Sequence, residues 1–454
     1  MTEPSGKHEG AGNGAGAGAT SGEGATAEAA PMSRGGLRLR SLSMENIGPF
    51  DRAEIEFATG EDGAPAVTIL TGENGTGKTI VLDAIRGMFG PQFATLEREI
   101  WRKDVPFRIH LEVEEDGRSA VVASVRTAST GQLAVDESTP RALSSFRVLP
   151  SMLANGQAPC PPWVVHYWRS SLTTDSFKIQ ALQTPQHKAY LQGALEGHYK
   201  NSDTVALLTY FDYLRDSRDP RERKSGEALY EAATRIVSGG LLDGGELANV
   251  SRTDLMPMVR QAGQEIPLSN ISSGNAYLIQ RMIELLGKMF SVHVLRQTDP
   301  ADLCKTPGLL LIDEAENHLH PRWQKRLLRT VLDVFPNLQI IATTHSPFIV
   351  SSIPGARVFV CRYERDEGAC TITDETADYA NKPIEEILAS DAFDGTRPFN
   401  EQITALLEER DRAIDAHDDV TRKRIEHELL ARNPLYFRYF EVEERLAALT
   451  RGAA

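Results

Sequence analysis

The chain has 454 residues, of which 41% are hydrophobic and 25% charged, and its formal net charge is −14. This length is typical of roughly two to three domains, and the apolar content is sufficient for a folded core. The sequence contains no apolar run of about 18 residues, which argues against a membrane-spanning helix. The negative charge argues against a protein that coats nucleic acid with its whole surface, although it is compatible with a local basic patch.

The cysteines are few and scattered, at Cys160, Cys304, Cys361 and Cys370, and no two of them form a CxxC pair. This spacing argues against a zinc cluster or a disulfide framework. The N-terminus also lacks the apolar stretch of a secretory signal peptide. We therefore expect a protein of the reducing cytoplasm, without a membrane partner.

Residues 1–36 are rich in Gly and Ala and show no hydrophobic periodicity. Such a segment buries too little apolar area to offset its chain entropy, so it predicts a disordered tail. From residue 37 the pattern changes. Alternation over 37–42 and 55–57 predicts two half-buried strands around a turn at Gly48-Pro49, and the apolar run 66–70 predicts a buried parallel strand.

The remaining elements follow in chain order. Helical spacing predicts a helix over 78–89, and alternation over 108–114 and 119–127 around Asp116-Gly117 predicts a hairpin. Residues 163–168 read as a strand. Helical periodicity over 205–214 and 228–237 then predicts an inserted helical subdomain, and the charged segment 382–449 is predicted to be helical.

The segment from Gly72 to Thr79, GENGTGKT, matches the phosphate-loop pattern GxxxxGK[ST] and lies between a predicted strand and a predicted helix. Backbone N–H groups of such a loop surround a phosphate, and the helix N-terminus adds positive potential. We expect Lys78 to contact the β- and γ-phosphates of ATP and the Thr79 hydroxyl to ligate Mg²⁺. The predicted nucleotide-binding residues of this loop are Asn74, Gly75, Thr76, Gly77, Lys78 and Thr79.

Two later strands end in polar residues that belong at the same sheet edge. The apolar run 308–312 leads into Asp313 and Glu314, and the run 340–342 leads into a segment containing His345. We expect Asp313 to hold Mg²⁺ and Glu314 to act as general base for the attacking water. A histidine at a strand end is usually structural, but at this edge we assign His345 a contact to the γ-phosphate.

At these residues the sequence resembles the ATP-binding-cassette ATPases, AAA family ATPases in the broad sense, and in particular their SMC/RecF/OLD-like branch. The resemblance covers residues 37 to about 365. It rests on four segments: NIGPF at 46–50, the phosphate loop, LIDEAENHLHP at 311–321, and ATTHSP at 342–347. It implies an α/β fold, with an ABC-type P-loop ATPase head built on a mixed sheet, an inserted helical subdomain and C-terminal helices.

The resemblance also implies a domain division. Residues 37–172 would form ATPase lobe I, 173–250 the helical insert, 251–381 lobe II, and 382–454 a C-terminal helical segment. Within lobe II, residues 271–275 (ISSGN) resemble a degenerate signature motif, in which Ser272, Ser273 and Gly274 would reach ATP bound to a second subunit. On its own this segment is also compatible with a simple helix cap.

The family further implies a nucleotide-sandwich homodimer, or a higher oligomer of such dimers, that closes on ATP binding and opens on hydrolysis. His345 resembles the switch histidine, and His318-Leu319-His320 lies where the intersubunit D-loop falls. His318 and His320 also resemble a metal pair, but residues two apart do not share a helix face, so zinc binding is not expected. The Q-loop glutamine stays open between Gln92, Gln180 and Gln183.

Two comparisons within the resemblance bear on function. The insert lacks the sustained heptads of an SMC coiled coil, and the last hundred or so residues lack the Glu…DxD arrangement of the nuclease domain of OLD proteins. The chain thus looks most like the standalone ATPase components of anti-phage defence systems, which work with a separate effector nuclease. The alternative is a DNA-repair or recombination ATPase of the RecF/SMC type that binds DNA directly. A transporter subunit is disfavoured.

Two surface features each allow two interpretations. The cluster Arg215, Arg218, Arg221, Arg223 and Lys224 either contacts DNA phosphates or forms a solvated helix end neutralised by interspersed acids. The C-terminal helices, with the aromatic run 436–440, either dock a partner or cap the ATPase core.

Overall fold

The computed structural model describes residues 36–61, 64–89, 100, 102, 105–115, 117–126, 133–135, 160–171, 177–192, 201–241, 244–379, 382–390, 393 and 399–442. Apart from Gly36, the predicted disordered tail lies outside these residues, and so do Gln92 and Asp116.

The centre of the fold is a six-stranded sheet in the order β14-β13-β3-β12-β11-β7. Its members are β3 (Val67–Gly72), β7 (Val164–Trp168), β11 (Gly308–Ile312), β12 (Leu338–Thr343), β13 (Arg357–Glu364) and β14 (Ala369–Asp374). All neighbours pair in parallel except β13 with β14. Strands β3, β7, β11 and β12 are buried along their whole length, which explains their nearly continuous apolar sequence.

A second sheet is antiparallel and has the order β2-β1-β4-β5-β6. It contains β1 (Arg38–Ile47), β2 (Phe50–Glu56), β4 (Phe107–Glu115), β5 (Arg118–Arg126) and β6 (Leu133–Val135). Strands β1 and β2 alternate between buried and more exposed residues, as the sequence predicted for half-buried strands. The predicted hairpin is confirmed as β4 and β5, which pair from Phe107↔Arg126 to Glu115↔Arg118.

Helices cover both faces of the central sheet. On one face, α1 (Lys78–Phe89) shares a core with β1, β2 and β4 of the antiparallel sheet. On the other face lies a larger core, formed by side chains of α3 (Asn201–Arg215), α4 (Pro220–Gly240), α5 (Ser273–Arg296) and α7 (Leu327–Val334). The shorter helices are α2 (His187–Gln192), α6 (Pro321–Gln324) and α8 (Pro347–Val350). This mixed α/β architecture confirms the predicted fold class.

The inserted segment contains a small sheet that the sequence pattern did not predict. Both predicted helical stretches lie within α3 and α4, but they are followed by β8 (Glu246–Ser251), β9 (Met256–Gln261) and β10 (Gln264–Pro267). These strands pair antiparallel in the order β10-β9-β8. The predicted domain boundary at residue 250 falls inside β8, and the domain division itself stays a prediction.

The C-terminal part is helical, with α9 (Thr376–Tyr379), α10 (Ile384–Leu388), α11 (Glu401–Asp415) and α12 (Asp419–Arg432). Ile387 of α10 belongs to the larger core. Helices α11 and α12 pack on each other, and with the segment after them they form a core of their own, made of Ile403, Ile425, Leu429, Phe437 and Phe440. Within the ranges described above, no helix has the length and apolar character needed to cross a membrane.

Candidate nucleotide-binding site

The predicted phosphate loop connects the end of β3 to the start of α1. The Lys78 ammonium Nζ donates to the backbone carbonyls of Gly72 at 2.9 Å and Glu73 at 2.6 Å. Lys78 is largely buried, and this burial lowers its pKa, while the carboxylates of Glu316, Glu314 and Asp313 act in the opposite direction. The side chain is thus bound to the loop and faces the acidic edge of β11.

Close packing explains two of the loop glycines. Gly77 has φ +93°, and a Cβ at this position would lie 2.6 Å from the Phe50 ring and 2.7 Å from Pro49. Gly72 has φ +132°, and a Cβ there would lie 2.1 Å from the carbonyl oxygen of Cys361. Only glycine adopts such backbone angles without strain and leaves room for these contacts. The 46–50 segment therefore packs directly against the phosphate loop.

The loop opens into a cleft at the carboxyl edge of the central sheet. Its lining comprises Ile80 and eight other residues: Asn74, Gly75, Gly77, Lys78, Thr79, Glu314, Thr343 and His345. Thr76 is not part of this lining; its hydroxyl donates to the carbonyl of Glu73 at 2.9 Å and stabilises the turn. Parallel strands β3, β11 and β12 bring these separate segments together because their carboxyl ends share one edge.

Three hydroxyl groups converge on the buried carboxylate of Asp313. Thr79 and Thr343 donate to its Oδ1 at 2.9 and 2.8 Å, and the Tyr167 phenol donates to its Oδ2 at 3.4 Å. The sequence pattern does not predict Thr343 or Tyr167 as site residues. Thr343 ends β12 at the sheet edge where His345 was predicted to lie, whereas Tyr167 of β7 reaches Asp313 because β7 pairs with β11, with Tyr167 opposite Leu311.

The residues present fit a magnesium ion. Mg²⁺ prefers oxygen ligands and usually takes one or two carboxylates together with substrate phosphates and water. Asp313 and the Thr79 hydroxyl supply such oxygens 2.9 Å apart, next to the phosphate loop. Among the residues that the structure describes, there is no group of three or more His, Cys, Asp or Glu that would form an all-protein metal cage. This donor set therefore suits a metal that arrives with a nucleotide.

Glu314 adopts an unusual backbone conformation at the rim of the cleft. Its φ is +49°, a region in which a non-glycine residue is strained. Two contacts hold it: its backbone N–H donates to the Thr343 hydroxyl at 2.8 Å, and the Asn317 amide donates to its carboxylate. These contacts fix the carboxylate of Glu314 at the cleft lining beside Lys78 and His345.

His345 follows β12 and also lines the cleft. It is half-buried, and burial lowers the pKa of its imidazole, an effect that the Lys78 ammonium reinforces. Glu316, Glu314 and the backbone carbonyl of Gly72 act in the opposite direction. This lowered pKa favours the neutral imidazole, which offers one donor and one acceptor.

The predicted signature residues lie at the N-terminus of α5 and are not part of the cleft lining. Ser272 and Ser273 are exposed, and the Ser272 side chain caps the helix by accepting from the backbone N–H of Asn275 at 3.4 Å. A Cβ at Gly274 would lie 2.8 Å from the carbonyl oxygen of His318. The structure thus shows the cap, and it leaves both serines accessible to a second molecule.

The 318–320 segment packs against this helix start. His318 has φ +63°, and its ring lies 5.8 Å from the Tyr277 ring of α5. His320 has a local role, since its Nδ1 accepts from the backbone N–H of Arg322 at 3.3 Å at the start of α6. Both histidines are exposed.

The remaining Q-loop candidates lie outside the cleft. Gln180 and Gln183 are exposed in the segment before α2, and neither contributes to the cleft lining. The segment that follows β7 lies beside the site instead: the backbone N–H of Asp313 donates to the carbonyl of Trp168 at 2.9 Å, and Asn317 donates to the carbonyl of Ser170 at 3.4 Å.

The predicted basic cluster is partly neutralised. Arg215 forms an ion pair with Asp212 at 2.7 Å and stacks on the Tyr230 ring, and Lys224 pairs with Asp299 at 2.7 Å. Arg218, Arg221 and Arg223 belong to the exposed start of α4 and the turn before it. The two interpretations of this cluster both stay open.

Two protein-family models match segments that contribute residues to this cleft. A family described as "AAA domain, putative AbiEii toxin, Type IV TA system" matches residues 169–351, which include β11, Glu314 and His345. A second family, described as "AAA domain", matches residues 41–152, which include the phosphate loop. The chain therefore carries AAA-family ATPase domain sequence on both sides of the cleft.

The curated relatives include two retron probable ATPases and a Septu protein. The chain is 24% identical over 252 residues to a "Retron Vc95 probable ATPase" of Vibrio cholerae serotype O1 biovar El Tor, covering 55% of this chain and 47% of the relative. It is 38% identical over 174 residues to a "Retron Ec83 probable ATPase" of Escherichia coli, covering 37% and 31%. It is 51% identical over 45 residues to the "Septu protein PtuA" of Bacillus thuringiensis, covering 10% and 11%. Each match thus spans less than half of the relative's length.

Solved structures show a distant likeness. The SMC head domain from Thermotoga maritima superposes with a TM-score of 0.42 at 18% identity, covering 74% of this chain and 98% of that one. The recombination mediator protein RecF superposes with a TM-score of 0.40 at 13% identity, covering 76% and 100%.

Proposed function

We propose that this protein is a cytoplasmic Mg²⁺-dependent ATPase. The observation that carries this proposal is the convergence of Lys78, the Thr79–Asp313 pair, Glu314 and His345 in one cleft at the carboxyl edge of a parallel sheet. These residues come from three separate segments of the chain, at the start of α1, after β11 and after β12, and ATP hydrolysis needs such groups side by side.

Each side chain has a distinct role in this proposal. Lys78 and the loop N–H groups bind the β- and γ-phosphates, and Thr79 with Asp313 holds Mg²⁺, which when bound neutralises phosphate charge. Glu314 orients the attacking water and accepts its proton. His345 contacts the γ-phosphate. The positive φ of Glu314 supports its role, because strained residues that are held by several contacts are typical of functional sites.

In this proposal, residues from a second copy of the chain complete the nucleotide-binding site. Ser272 and Ser273 are exposed and lie outside their own cleft, and Gly274 lies close to the 318–320 segment. In an ATP-sandwich dimer these residues would contact the γ-phosphate bound to the partner. ATP binding would then close the dimer, and hydrolysis would open it.

The biological role is inferred from the relatives. Retron and Septu proteins are among the curated matches, and two of these matches are named as probable ATPases. We propose that ATP-driven dimerisation of this chain regulates a partner effector nuclease in anti-phage defence.

The second candidate is a DNA-repair or recombination ATPase that binds DNA itself. The three exposed arginines, Arg218, Arg221 and Arg223, favour it as a small phosphate-contacting edge. Charge reversal at Arg221 and Arg223 would then flatten the salt dependence of DNA binding, whereas an unchanged slope would exclude this surface.

Steady-state ATP hydrolysis, measured with and without linear duplex DNA, tests the proposal and separates the two candidates. Lys78→Ala serves as the blank. A basal rate that DNA leaves unchanged supports control by a protein partner, and strong stimulation by DNA supports the repair candidate. A wild-type rate equal to the blank would contradict the ATPase assignment.

A further inference from the structure

Glu316 has no assigned role, yet its carboxylate is bonded to the turn that carries His345. The Thr344 hydroxyl donates to Glu316 Oε2 at 2.6 Å, and the backbone N–H of His345 donates to Oε1 at 2.6 Å. Both carboxylate oxygens are therefore engaged by two consecutive residues. Thr344 is fully buried, and Glu316 is half-buried, so water competes weakly for these short bonds.

A second set of bonds fixes the other end of the same turn. The Ser346 hydroxyl donates to the Gln324 side-chain oxygen at 2.6 Å, and the Gln324 amide donates to the carbonyl of Leu319 at 2.8 Å. Within the turn, the backbone N–H of Ser346 donates to the Thr344 hydroxyl at 2.9 Å. Both ends of the turn 344–346 are thus hydrogen-bonded to the segment that follows β11.

The same segment carries the proposed general base. Glu314 and Glu316 are two residues apart, and between them the backbone N–H of Ala315 donates to the carbonyl of Thr343 at 2.9 Å. The Thr343 hydroxyl accepts from Glu314 and donates to Asp313. The end of β11 and the end of β12 therefore form one hydrogen-bonded unit, in which Asp313, Glu314 and His345 cannot move independently.

We propose that Glu316 is a positioning residue, whose carboxylate holds the His345 turn so that the imidazole stays aimed into the cleft. This inference rests on the proposed ATP hydrolysis for its kinetic consequence, but its structural claim concerns His345 itself. Glu316 is not part of the cleft lining, and both of its carboxylate oxygens bond to the His345 turn, so its proposed effect on the reaction is exerted through His345.

Glu316→Gln tests the role with little change in shape. A carboxylate accepts both the Thr344 hydroxyl and the His345 N–H, whereas an amide keeps one acceptor and places a donor where the second acceptor was. We expect kcat to fall at least about tenfold, as for other small displacements of catalytic groups, while KM and ATP affinity change little. Thr344→Val removes the hydrogen bond between Thr344 and Glu316 by changing the donor, and it should also lower kcat. Thr344→Ser keeps the hydroxyl and should retain a kcat close to that of the wild type.

A double-mutant cycle separates positioning from a general structural effect. If Glu316 acts through His345, Glu316→Gln should lower the residual rate of His345→Ala by less than about twofold, because interacting residues are non-additive. An equal loss in both backgrounds would overturn the proposal. The matched control is Glu375→Gln. The Glu375 carboxylate also accepts hydrogen bonds, but from Arg362 and Thr373 on β13 and β14 and not from the His345 turn, so the change should leave kcat unchanged.

A second measurement does not depend on turnover. With ¹³Cε1-labelled histidine in the full chain, the His345 signal is identified by its loss in His345→Ala. We expect this signal to shift when a non-hydrolysable ATP analogue binds to the wild type, and to be displaced in Glu316→Gln even without nucleotide. An unchanged His345 signal in Glu316→Gln would overturn the positioning role, whereas absent ATP hydrolysis by the wild type would contradict the proposed function alone.

Discussion

At the scale of single residues, the site depends on hydroxyl groups as much as on charges. Asp313 accepts from Thr79, Thr343 and Tyr167, which belong to α1, β12 and β7. A buried carboxylate with several donors is held in one orientation, and residues that orient metal ligands commonly set metal affinity. In the proposed ATPase, the geometry of the Mg²⁺ position would therefore be set by three different elements.

Thr343→Val should weaken the Mg²⁺ site without removing a ligand. Valine keeps the size and branching of threonine but cannot donate to Asp313 or accept from Glu314. We expect the Mg²⁺ concentration for half-maximal ATP hydrolysis to rise about tenfold or more. Thr343→Ser keeps the hydroxyl and is the control. The same half-maximal Mg²⁺ concentration in Thr343→Val and Thr343→Ser would contradict the role of this hydroxyl.

The two inner glycines of the phosphate loop provide a matched pair. Gly75 has φ +81° and Gly77 has φ +93°, so alanine at either position incurs backbone strain of about 1–2 kcal/mol. A Cβ at Gly75 meets nothing within 4 Å, whereas one at Gly77 would meet Phe50 and Pro49. Thermal melting and ATP titration should show a clearly larger loss of stability and of ATP affinity for Gly77→Ala than for Gly75→Ala. Equal losses would mean that the 46–50 segment does not confine the loop.

At the scale of elements, the sequence predicted the strands and helices whose patterns are strong. Strands β3, β11 and β12 are continuous apolar runs because both of their faces are buried, and α1 is buried over most of its length because it shares a core with both sheets. The β8–β10 sheet was missed because its strands are short and carry charged residues such as Arg260 and Glu265, which pair with each other on an exposed face.

The residues that complete the site could be predicted only in part. Motifs with fixed spacing identified Lys78, Asp313 and Glu314, because the chemistry requires those residue types. Tyr167 and Glu316 belong to no spacing pattern that we used, since their contacts depend on strand order and on the fold of the turn after β12. Parallel strands joined by long crossovers leave that order unspecified in the local sequence.

Helices α11 and α12 should behave as a separately stabilised element. Their core contains the fully buried Phe437, which stacks on Phe399 and Phe440. Phe437→Ala should remove about 3–5 kcal/mol of local stability. Hydrogen exchange should then accelerate in α11 and α12 and stay slow in α1, with ATP hydrolysis unchanged. Faster exchange in α1 as well would indicate that these helices cap the ATPase core.

At the scale of the whole molecule, the proposed dimer uses two surfaces of the chain. One is the cleft, to which the proposal assigns ATP, and the other is the exposed start of α5 with Ser272 and Ser273. In the proposed dimer, the cleft of each subunit contacts the start of α5 of the other subunit. These two equivalent contacts give a closed two-fold assembly.

Ser273→Arg should separate ATP binding from dimerisation. The position is exposed, so arginine is compatible with the fold but would obstruct a partner's cleft. We expect ATP binding by the monomer to persist and the ATP-dependent dimer to be lost in light scattering. Gln264→Arg, on the exposed edge strand β10, adds the same charge elsewhere and should still dimerise. A Ser273→Arg protein that dimerises normally would exclude the sandwich arrangement at this surface.

The most direct test of the central claim measures ATP binding and single-turnover hydrolysis in the wild type, Lys78→Ala and Glu314→Gln. The account predicts that the wild type binds and hydrolyses ATP, that Lys78→Ala does not bind it, and that Glu314→Gln binds it, accumulates as a dimer and does not hydrolyse it. Hydrolysis by Glu314→Gln at the wild-type rate would contradict the assignment of Glu314 as general base and, with it, the proposed chemistry of this cleft.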